Sequence, residues 1–343
     1  MKLAGFEVIP YALRFRHPYV SAKGTLQRRE MVLLRLRTEE GEVGLGEAVP
    51  LSLRGGASLG HVVGELERLG EEVAETGRVT ALAPRLSAPA RCAALTALED
   101  LAGQAGRIIR ERPPVRCNAT LRAGKPAVVA REAEAWAADG FRTFKLKLGA
   151  GEDAAGVRAV REALGQEAAI RVDANGSWSV EEAAAILGEI EPLGIELAEQ
   201  PVGTLEEMAE LAARITIPLA ADESVASREE AERARKLGAC RFTGIKLSKV
   251  GGSAAAAAIA RVIPSYLSSA LDGPVGIAAA ATVAGGSSNP TAAPLAHGLA
   301  TQRLFASTIA SVECELRGEE LHLPSGPGLG VQIDEEALQA HRI

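Results

Sequence analysis

The first fifty residues alternate apolar and polar positions in short stretches. In the segment MVLLRLR, residues 31–37, one set of alternate positions is entirely apolar and the other contains two arginines. This period of two is typical of a strand with one face on a core and the other face partly charged. With the turn signals between such stretches, it predicts an antiparallel meander over residues 2–50. Apolar residues then recur at helical spacing over 58–77 and 91–106, so the first hundred or so residues predict an α+β unit.

Strand and helix patterns alternate along the chain after Pro113 and Pro114. Consecutive prolines disfavour a helix and form a stiff joint, so they mark a predicted domain boundary. Eight candidate strands follow, centred near Val115, Thr143, Ile170, Ile195, Leu219, Thr243, Leu267 and Ala296. This alternation predicts an α/β fold, a (β/α)8 TIM barrel of parallel strands. The C-terminal part returns to a β-like pattern with turn signals, and we expect it to dock on the first domain. The predicted division of the chain is 1–112, 113–310 and 311–343.

Charge and hydropathy exclude several classes of partner. The chain has 343 residues and a formal net charge of −6 at pH 7, without a Lys/Arg block, so nothing favours a nucleic-acid surface. It contains no run of 18 apolar residues and no cleavage signature, so we expect a cytoplasmic protein that binds no membrane. The four cysteines are widely separated in sequence and are expected to be reduced thiols in or near the core. The expected partner is therefore a small molecule.

Five charged residues end successive apolar runs in the middle of the chain. They follow one another at intervals of about 23 to 26 residues, the length of one strand, one helix and two loops. The five are Lys147, Asp173, Glu199, Asp222 and Lys246. If each one ends a strand of the barrel, all five meet at one mouth, where three carboxylates lie between two ammonium groups.

Each of these residues also has a simpler structural interpretation. Lys145 and Lys147 share one side of a strand and could belong to a solvated edge strand. Asp173, with Asn175 on the same side, could form a helix cap or an Asx turn. Lys246 could pair with one of the acids. The alternating β/α context and the order of all five favour a catalytic site over these alternatives.

Three acids on three consecutive strands predict a site for a hard cation with oxygen ligands. Mg²⁺ fits best, with Mn²⁺ as the alternative. A divalent cation that holds a substrate carboxylate would stabilise the ene-diolate formed when the α-carbon loses its proton. Lysine, with an ordinary pKa of about 10.4, becomes a usable base when burial and nearby positive charge lower that value. We expect Lys145 and the metal to supply this charge.

The motifs KLK, DAN, EQP, DES and IKLSKVGG, in this order, resemble the enolase superfamily and specifically its muconate-lactonizing subgroup. The resemblance extends to GLGEA at 44–48 and to GPGLGV at 326–331. It implies a modified, enolase-like barrel with an N-terminal capping domain that the C-terminal segment completes. It also implies the roles of the charged residues. Lys147 and Lys246 would be catalytic, and Asp173, Glu199 and Asp222 would bind Mg²⁺, in keeping with the lysine base and Mg²⁺ chemistry of the superfamily.

Three further stretches, 268–272, 276–278 and 296–301, resemble the o-succinylbenzoate synthases of the actinobacterial kind. This resemblance implies dehydration of 2-succinyl-6-hydroxy-2,4-cyclohexadiene-1-carboxylate in menaquinone synthesis. Lys147 would remove the α-proton and Lys246 would stabilise the intermediate. The residues expected to support the site or contact substrate are Lys145, Asn175, Lys249, Ser269 and Gly298. The segments 50–52 and 54–56, in the expected lid loop, add to the resemblance.

Other activities stay open at this point. An N-succinylamino acid racemase needs the same metal and both lysines, and a cycloisomerase is a further alternative. Dipeptide epimerases of the subgroup carry a D-x-D pair where this chain has Leu299, Ala300 and Thr301, which disfavours a substrate with a free ammonium group. A non-catalytic barrel with a buried ion network is the alternative from another class. His297 and Trp178 are interpreted as packing residues, and the chain could associate as a homo-oligomer.

Overall fold

The N-terminal part of the computed structural model is an antiparallel sheet covered by helices. The structure describes residues 3–21, 24–51, 56–76, 79–107, 112–149, 151–286 and 295–343. The first elements are β1 (Leu3–Ser21), β2 (Gly24–Thr38), β3 (Val43–Ala48), α1 (Leu59–Thr76), α2 (Val79–Leu82) and α3 (Ala88–Ala105). The strands pair antiparallel in the order β1-β2-β3, which confirms the predicted meander.

Both faces of β2 contain buried residues in the middle of the strand. Val32, Leu34 and Leu36 are fully buried in a cluster with residues of α1 and α3, as the alternating pattern predicts. The opposite face is partly charged, as expected, because Arg35 is half-buried and Arg37 is exposed. The same face also places Met31 and Leu33 in the core shared with the barrel. Sequence alternation cannot reveal this second contact because it comes from another domain. The first sheet therefore lies between its own helices and the barrel.

The GLG sequence of β3 lets α3 lie directly on the strand. A Cβ atom at Gly44 would come within 2.2 Å of the carbonyl oxygen of Ala97, and one at Gly46 within 1.9 Å of that of Ala93. No side chain fits at either position. The helix and strand are therefore held at backbone contact distance.

A parallel sheet forms the centre of the molecule. A short strand, β4 (Val115–Arg116), precedes it. The parallel strands are β5 (Ala119–Leu121), β6 (Thr143–Lys147), β7 (Ala169–Asp173), β8 (Ile195–Glu199), β9 (Leu219–Ala221), β10 (Phe242–Ile245) and β11 (Ser265–Leu267), paired in sequence order. The helices are α4 (Pro126–Ala138), α5 (Asp153–Leu164), α6 (Val180–Ile190), α7 (Leu205–Ala212), α8 (Arg228–Leu237), α9 (Leu247–Val250), α10 (Ser253–Ala260) and α11 (Pro274–Gly285).

Two of the eight predicted strands differ from the structure. Near Val115 the chain forms β4, which belongs to a different sheet, and the first barrel strand begins at Ala119. Near Ala296 the described residues form no named strand. There, His297 bridges to Cys117 and Gly298 bridges to Ser268, both in parallel orientation, so this segment joins the two edges of the seven-stranded sheet. The apolar pattern located both segments, but it could not show which sheet each joins or how short the pairing is.

The C-terminal elements return to the earlier parts of the chain. They are β12 (Ala310–Val312), β13 (Glu315–Arg317), β14 (Glu320–His322), β15 (Gln332–Ile333) and α12 (Glu335–His341). The β13-β14 hairpin pairs with β4, and Arg342 forms a bridge with Tyr11 of β1. Glu335 also forms an ion pair with Arg35 of β2 at 2.5 Å. The expected return to the first domain is confirmed, while the domain limits themselves stay a prediction.

Three helices that follow the acid-bearing strands begin with the same cap. The N-cap side chains Ser179, Thr204 and Ser227 each accept a hydrogen bond from the backbone N–H of a glutamate three residues later, and that glutamate's carboxylate accepts one from the N-cap backbone. Such capping boxes fix where a helix begins. The loops between these strands and helices are therefore held at both ends. Within the described part of the chain, no helix has the length and apolar character needed to cross a membrane.

Candidate active site

The structure brings the five predicted charged residues together at one end of the barrel. Lys147 and Asp173 are register partners on β6 and β7, and Asp173 and Glu199 are partners on β7 and β8. Asp222 directly follows β9 and Lys246 directly follows β10. All five are buried, with at most 7 % of each residue exposed. Buried charges of this kind require partners of opposite sign.

Lysine ammonium groups from β6 hold two of the three acids. The Nζ of Lys145 lies 3.1 Å from Oδ2 of Asp173 and 3.0 Å from Oε1 of Glu199. The Nζ of Lys147 lies 2.5 Å from the same Asp173 oxygen and donates to Oδ1 of Asn175 at 3.1 Å. Lys145 and Asn175, both predicted as supporting residues, are therefore part of the site.

The pKa values of these groups follow from the pairing. Burial alone would raise the pKa of Asp173, but the ammonium groups of Lys147 and Lys145 lower it well below its ordinary value. Burial would lower the pKa of Lys147, but the Asp173 carboxylate outweighs burial and raises it. This direction is opposite to the one expected for a base. For Glu199, burial followed by repulsion from Asp173 raises the pKa.

Asp222 is held by two lysines from one loop. Lys246 donates to Oδ2 of Asp222, and the Nζ of Lys249 lies 2.8 Å from Oδ1. Strand β10 ends at Ile245 and α9 follows, so one helical turn brings Lys249, predicted to support the site, back beside Lys246.

Gln200, the middle residue of the EQP motif, organises the same loop. No role was predicted for it from the sequence. Its side-chain oxygen accepts hydrogen bonds from the backbone N–H of Asp222 at 2.9 Å and from that of Ser224 at 3.2 Å. Its amide nitrogen donates to the carbonyl of Val202 at 2.9 Å. The residue is fully buried, so these bonds fix the backbone from which Asp222 projects. The signal that could have found it is a polar residue between an acid and the proline that ends a strand.

Left-handed backbone conformations follow three barrel strands on the site's side. Asn175, Gln200 and Leu271 have φ values of 50°, 38° and 66°. Side-chain-bearing residues in this region are strained, and such strain persists where surrounding contacts determine the backbone. Two of the three residues, Asn175 and Gln200, form hydrogen bonds with groups of the site. This indicates that the strained loops serve to place the side chains of the site.

A cavity lies between the acids' lysine partners and the first sheet. Its empty volume, including the part that is open to solvent, is about 750 Å³. The barrel contributes Lys145, Lys147, Asn175, Lys246, Ser269 and Gly298 to its lining, and the first sheet and the loop after it contribute Tyr19, Ser21, Leu26, Arg29, Pro50 and Leu51. Arg29 is 8 % exposed and donates to the carbonyl of Pro50 at 2.8 Å. Of the proposed lid, Ser52, Arg54 and Gly55 lie outside the described residues.

Ser269 and Gly298 line this cavity by different means. The Oγ of Ser269 donates to Oδ2 of Asp272 at 2.7 Å, which fixes the loop after β11. A Cβ atom at Gly298 would lie 2.9 Å from the Oγ of Ser268, so the position tolerates no side chain without a shift. Both residues therefore shape the cavity wall, and their contact with substrate stays a prediction.

The donor set fits a divalent cation such as Mg²⁺. Asp173, Glu199 and Asp222 are fully buried carboxylates on adjacent strands, and the Nζ of Lys145 already lies within hydrogen-bond distance of two of them. A position between Asp173 and Glu199 thus accommodates a positive charge. Among the described residues, no three His, Cys, Asp or Glu side chains already lie close enough together to hold a metal ion. Each of the three acids contacts a lysine instead. Hard oxygen ligands are the chemistry that Mg²⁺ prefers.

His297 and Trp178 are packing residues, as predicted. The Nδ1 of His297 accepts a hydrogen bond from the backbone N–H of Leu267 at 2.9 Å, which ties the closing segment to β11. Burial, and then the charge of Arg171, lowers the pKa of His297 to about 4, so the ring is neutral near pH 7. Trp178 is partly buried and packs against the main core.

Comparison with known proteins gives consistent matches to one superfamily. The family described as Enolase C-terminal domain-like matches residues 128–337, and the N-terminal domain of the Mandelate racemase / muconate lactonizing enzyme family matches residues 7–107. The chain is 37% identical to an o-succinylbenzoate synthase of Thermobifida fusca (strain YX), over 56% of this chain and 62% of that relative, which is less than two thirds of its length.

Two further similarities span nearly the whole chain. An N-succinylamino acid racemase of Amycolatopsis sp is 30% identical over 98% of this chain and 97% of the relative. The crystal structure of a dipeptide epimerase from Enterococcus faecalis V583, complexed with Mg and the dipeptide L-Leu-L-Tyr, superposes with a TM-score of 0.89 at 26% identity. That match covers 97% of this chain and 100% of the epimerase. The similar proteins thus share a fold and differ in activity.

Proposed function

Because this chain belongs to the enolase superfamily, in its muconate-lactonizing subgroup, we propose that it is a cytoplasmic, Mg²⁺-dependent o-succinylbenzoate synthase of menaquinone synthesis. The proposed reaction is the syn-dehydration of 2-succinyl-6-hydroxy-2,4-cyclohexadiene-1-carboxylate. The α-proton and the ring hydroxyl leave as water, and the ring becomes aromatic. The reaction is that of a carbon-oxygen lyase.

The observation that carries this proposal is the placement of two lysines across one cavity. Lys147 ends the second of the seven parallel strands and Lys246 follows the sixth. With the bridging segment at Gly298 as the eighth position of the ring, these two positions are opposite each other. A substrate carbon between them can lose a proton to one lysine while the other faces the developing negative charge.

Each residue of the site then has one task. The Nζ of Lys147 removes the α-proton and returns it to the departing hydroxyl group on the same face, so no external acid is required. The ammonium group of Lys246 stabilises the ene-diolate by its charge. Asp173, Glu199 and Asp222 would hold Mg²⁺, which when bound supplies positive charge to the substrate carboxylate. Asn175 and Gln200 keep the lysine and acid side chains in place.

The charge of the site suits a substrate with two carboxylates. When Lys147 is neutral and acts as the base, the ammonium groups of Lys145, Lys246 and Lys249 balance the three carboxylates that they contact. A divalent cation then adds two positive charges. A dianion with a ring carboxylate and a succinyl carboxylate balances that charge, and the buried guanidinium of Arg29 lines the same cavity.

An N-succinylamino acid racemase is the second candidate. It is favoured by the similarity, over nearly the whole chain, to the Amycolatopsis racemase, and a two-base site with one lysine on each side of the α-carbon would serve it. Both candidates share the succinyl group and the metal. The synthase is preferred because the stretches 268–272 and 296–301 resemble the synthases, and part of the chain is 37% identical to one of them.

Direct assay of both reactions separates the candidates. We expect the purified protein with Mg²⁺ to remove the ultraviolet absorbance of the cyclohexadiene substrate. N-succinyl amino acids in D₂O, followed by proton NMR, report exchange of the α-proton. If the absorbance is unchanged while the α-proton exchanges, the synthase assignment is wrong and the racemase assignment replaces it. If neither substrate reacts, both assignments are wrong.

A further inference from the structure

Beneath the three acids, the barrel interior contains a tyrosine that the mechanism above does not use. Tyr266 lies on β11, is fully buried, and packs against Leu197 and Ala220. Its phenol donates a hydrogen bond to Oε2 of Glu199, which belongs to β8. A residue of the seventh strand thus reaches across the interior to an acid of the fourth.

The space for this contact comes from a missing side chain. Gly244 of β10 is the register partner of Tyr266. A Cβ atom at position 244 would lie 3.1 Å from the phenol oxygen and 3.2 Å from Cζ, closer than ordinary contact. The glycine therefore leaves room for the phenol beside the neighbouring strand.

A buried cation lies over the tyrosine ring. The Cζ of Arg171 is 5.3 Å from the ring centroid, and the residue is fully buried. Its guanidinium also bonds to Glu196 and to the carbonyl of Ala296, so the cation is held in place. A cation over the face of a phenol withdraws electron density from the ring, which strengthens the O–H as a donor.

We propose that Tyr266 is a positioning residue for the metal site, which orients the Glu199 carboxylate as a ligand through a charge-assisted hydrogen bond. The inference rests on the proposed metal site and is independent of the substrate. Without the phenol, Glu199 keeps Lys145 as a partner, at 3.0 and 3.1 Å from its two oxygens. That contact draws the carboxylate toward lysine instead of fixing it for a cation. Groups that orient metal ligands typically contribute about 10 to 100-fold to metal affinity.

The test compares two matched substitutions in the full-length protein. Tyr266→Phe removes only the phenol oxygen beside Glu199. Tyr11→Phe is the control, because Tyr11 is equally buried and donates to another buried glutamate, Glu47, at 2.8 Å, away from the three acids. Mg²⁺ binding is measured by calorimetry and Mn²⁺ binding by electron paramagnetic resonance, both without substrate. A cooperative thermal transition checks that each variant folds.

We expect Tyr266→Phe to raise the Kd for Mg²⁺ and Mn²⁺ by about 10 to 100-fold, and Tyr11→Phe to leave both within about twofold. Gly244→Ala, which would push the ring away from Glu199, should weaken binding in the same direction. Unchanged metal affinity in a folded Tyr266→Phe protein would overturn the inference and leave the proposed function standing, as would equal weakening in both tyrosine variants. Absence of metal binding by the unaltered protein would overturn the proposed function together with this inference.

Discussion

Lys147 and Asp173 are register partners on adjacent barrel strands, and the lysine Nζ lies 2.5 Å from the carboxylate Oδ2. This contact raises the pKa of the lysine and lowers that of the aspartate. A base must be unprotonated before it can accept a proton. Lys147 can therefore act as a base only when another cation replaces its ammonium group beside the Asp173 carboxylate. The proposed base and the proposed metal ligand are thereby coupled.

Replacement of the base tests its role. We expect Lys147→Ala to lower turnover of the cyclohexadiene substrate by at least about a thousandfold, since a positioned general base contributes up to about 10⁴. Asp173 retains Lys145 as a partner at 3.1 Å, so the variant should fold. The loss of substrate absorbance with time gives the rate. Lys236→Ala, at an exposed position of α8, is the control. Full activity in Lys147→Ala would assign the base to a different residue.

Replacement of one acid tests which residues are metal ligands. Asp222→Asn keeps the shape of the side chain and removes its charge, so we expect Mg²⁺ affinity to fall by at least about tenfold, as for other changes around a metal. Titration calorimetry measures it. Asp139→Asn, at an exposed residue paired with Arg303, is the matched control and should bind as the unaltered protein does. An Asp222→Asn protein with unchanged affinity removes this residue from the ligand set.

Gln200 is expected to contribute to both stability and metal binding. In Gln200→Ala the backbone N–H groups of Asp222 and Ser224 lose their acceptor, and each buried unpaired group costs about 1–3 kcal/mol. Urea unfolding should show a free energy of unfolding lower by about 2 kcal/mol or more, and Mg²⁺ affinity should fall as well. Gln332→Ala, at an exposed position, should change neither quantity. Equal stability of the two variants would show that Gln200 does not organise this loop.

Glu47 is expected to make stability depend on pH. Its carboxylate accepts from Tyr11 and from the backbone N–H of Gly273, which connects β3 to the start of α11. Burial, followed by repulsion from Asp272, raises the pKa of Glu47 from 4.5 to about 7. The folded state therefore holds this proton more tightly, so the associated stability is present below about pH 4.5 and is lost as the pH rises through 7.

Glu47→Gln, which cannot titrate, measures this effect. Between pH 5 and pH 8 we expect the unaltered protein to lose about 2–3 kcal/mol of unfolding free energy relative to the variant, at 1.36 kcal/mol per pKa unit. Urea unfolding at both pH values gives the difference. Parallel pH dependence of the two proteins would contradict the assignment.

Much of the site could be predicted from the sequence, because its charged residues recur at the spacing of successive barrel strands. The apolar run before each charged residue located Lys147, Asp173, Glu199 and Asp222, and the parallel arrangement of the strands placed them at one end. The helical turn that brings Lys249 to Asp222 was not predicted, because the KLSK stretch is compatible with either a strand or a helical turn. Only the αL glycine at Gly251, which ends α9, resolves this, and its conformation is a product of the fold.

The remaining features depend on contacts between distant parts of the chain. Tyr266 and Glu199 are 67 positions apart, and Arg29 reaches the cavity from another domain. The apolar positions of β2 predicted one buried face, and the core shared with the barrel also buries Met31 and Leu33 of the other. Sequence periodicity reports local geometry, so it cannot predict which surfaces meet in the folded chain.

The most direct test of the account is the position of a metal ion. Crystals soaked in Mn²⁺ should give one anomalous difference peak about 2.1 Å from carboxylate oxygens of Asp173, Glu199 and Asp222, with Lys147 and Lys246 on opposite sides of the adjoining cavity. A peak away from these three residues, or none at a concentration that saturates binding in solution, would contradict the claim that these acids form one metal site.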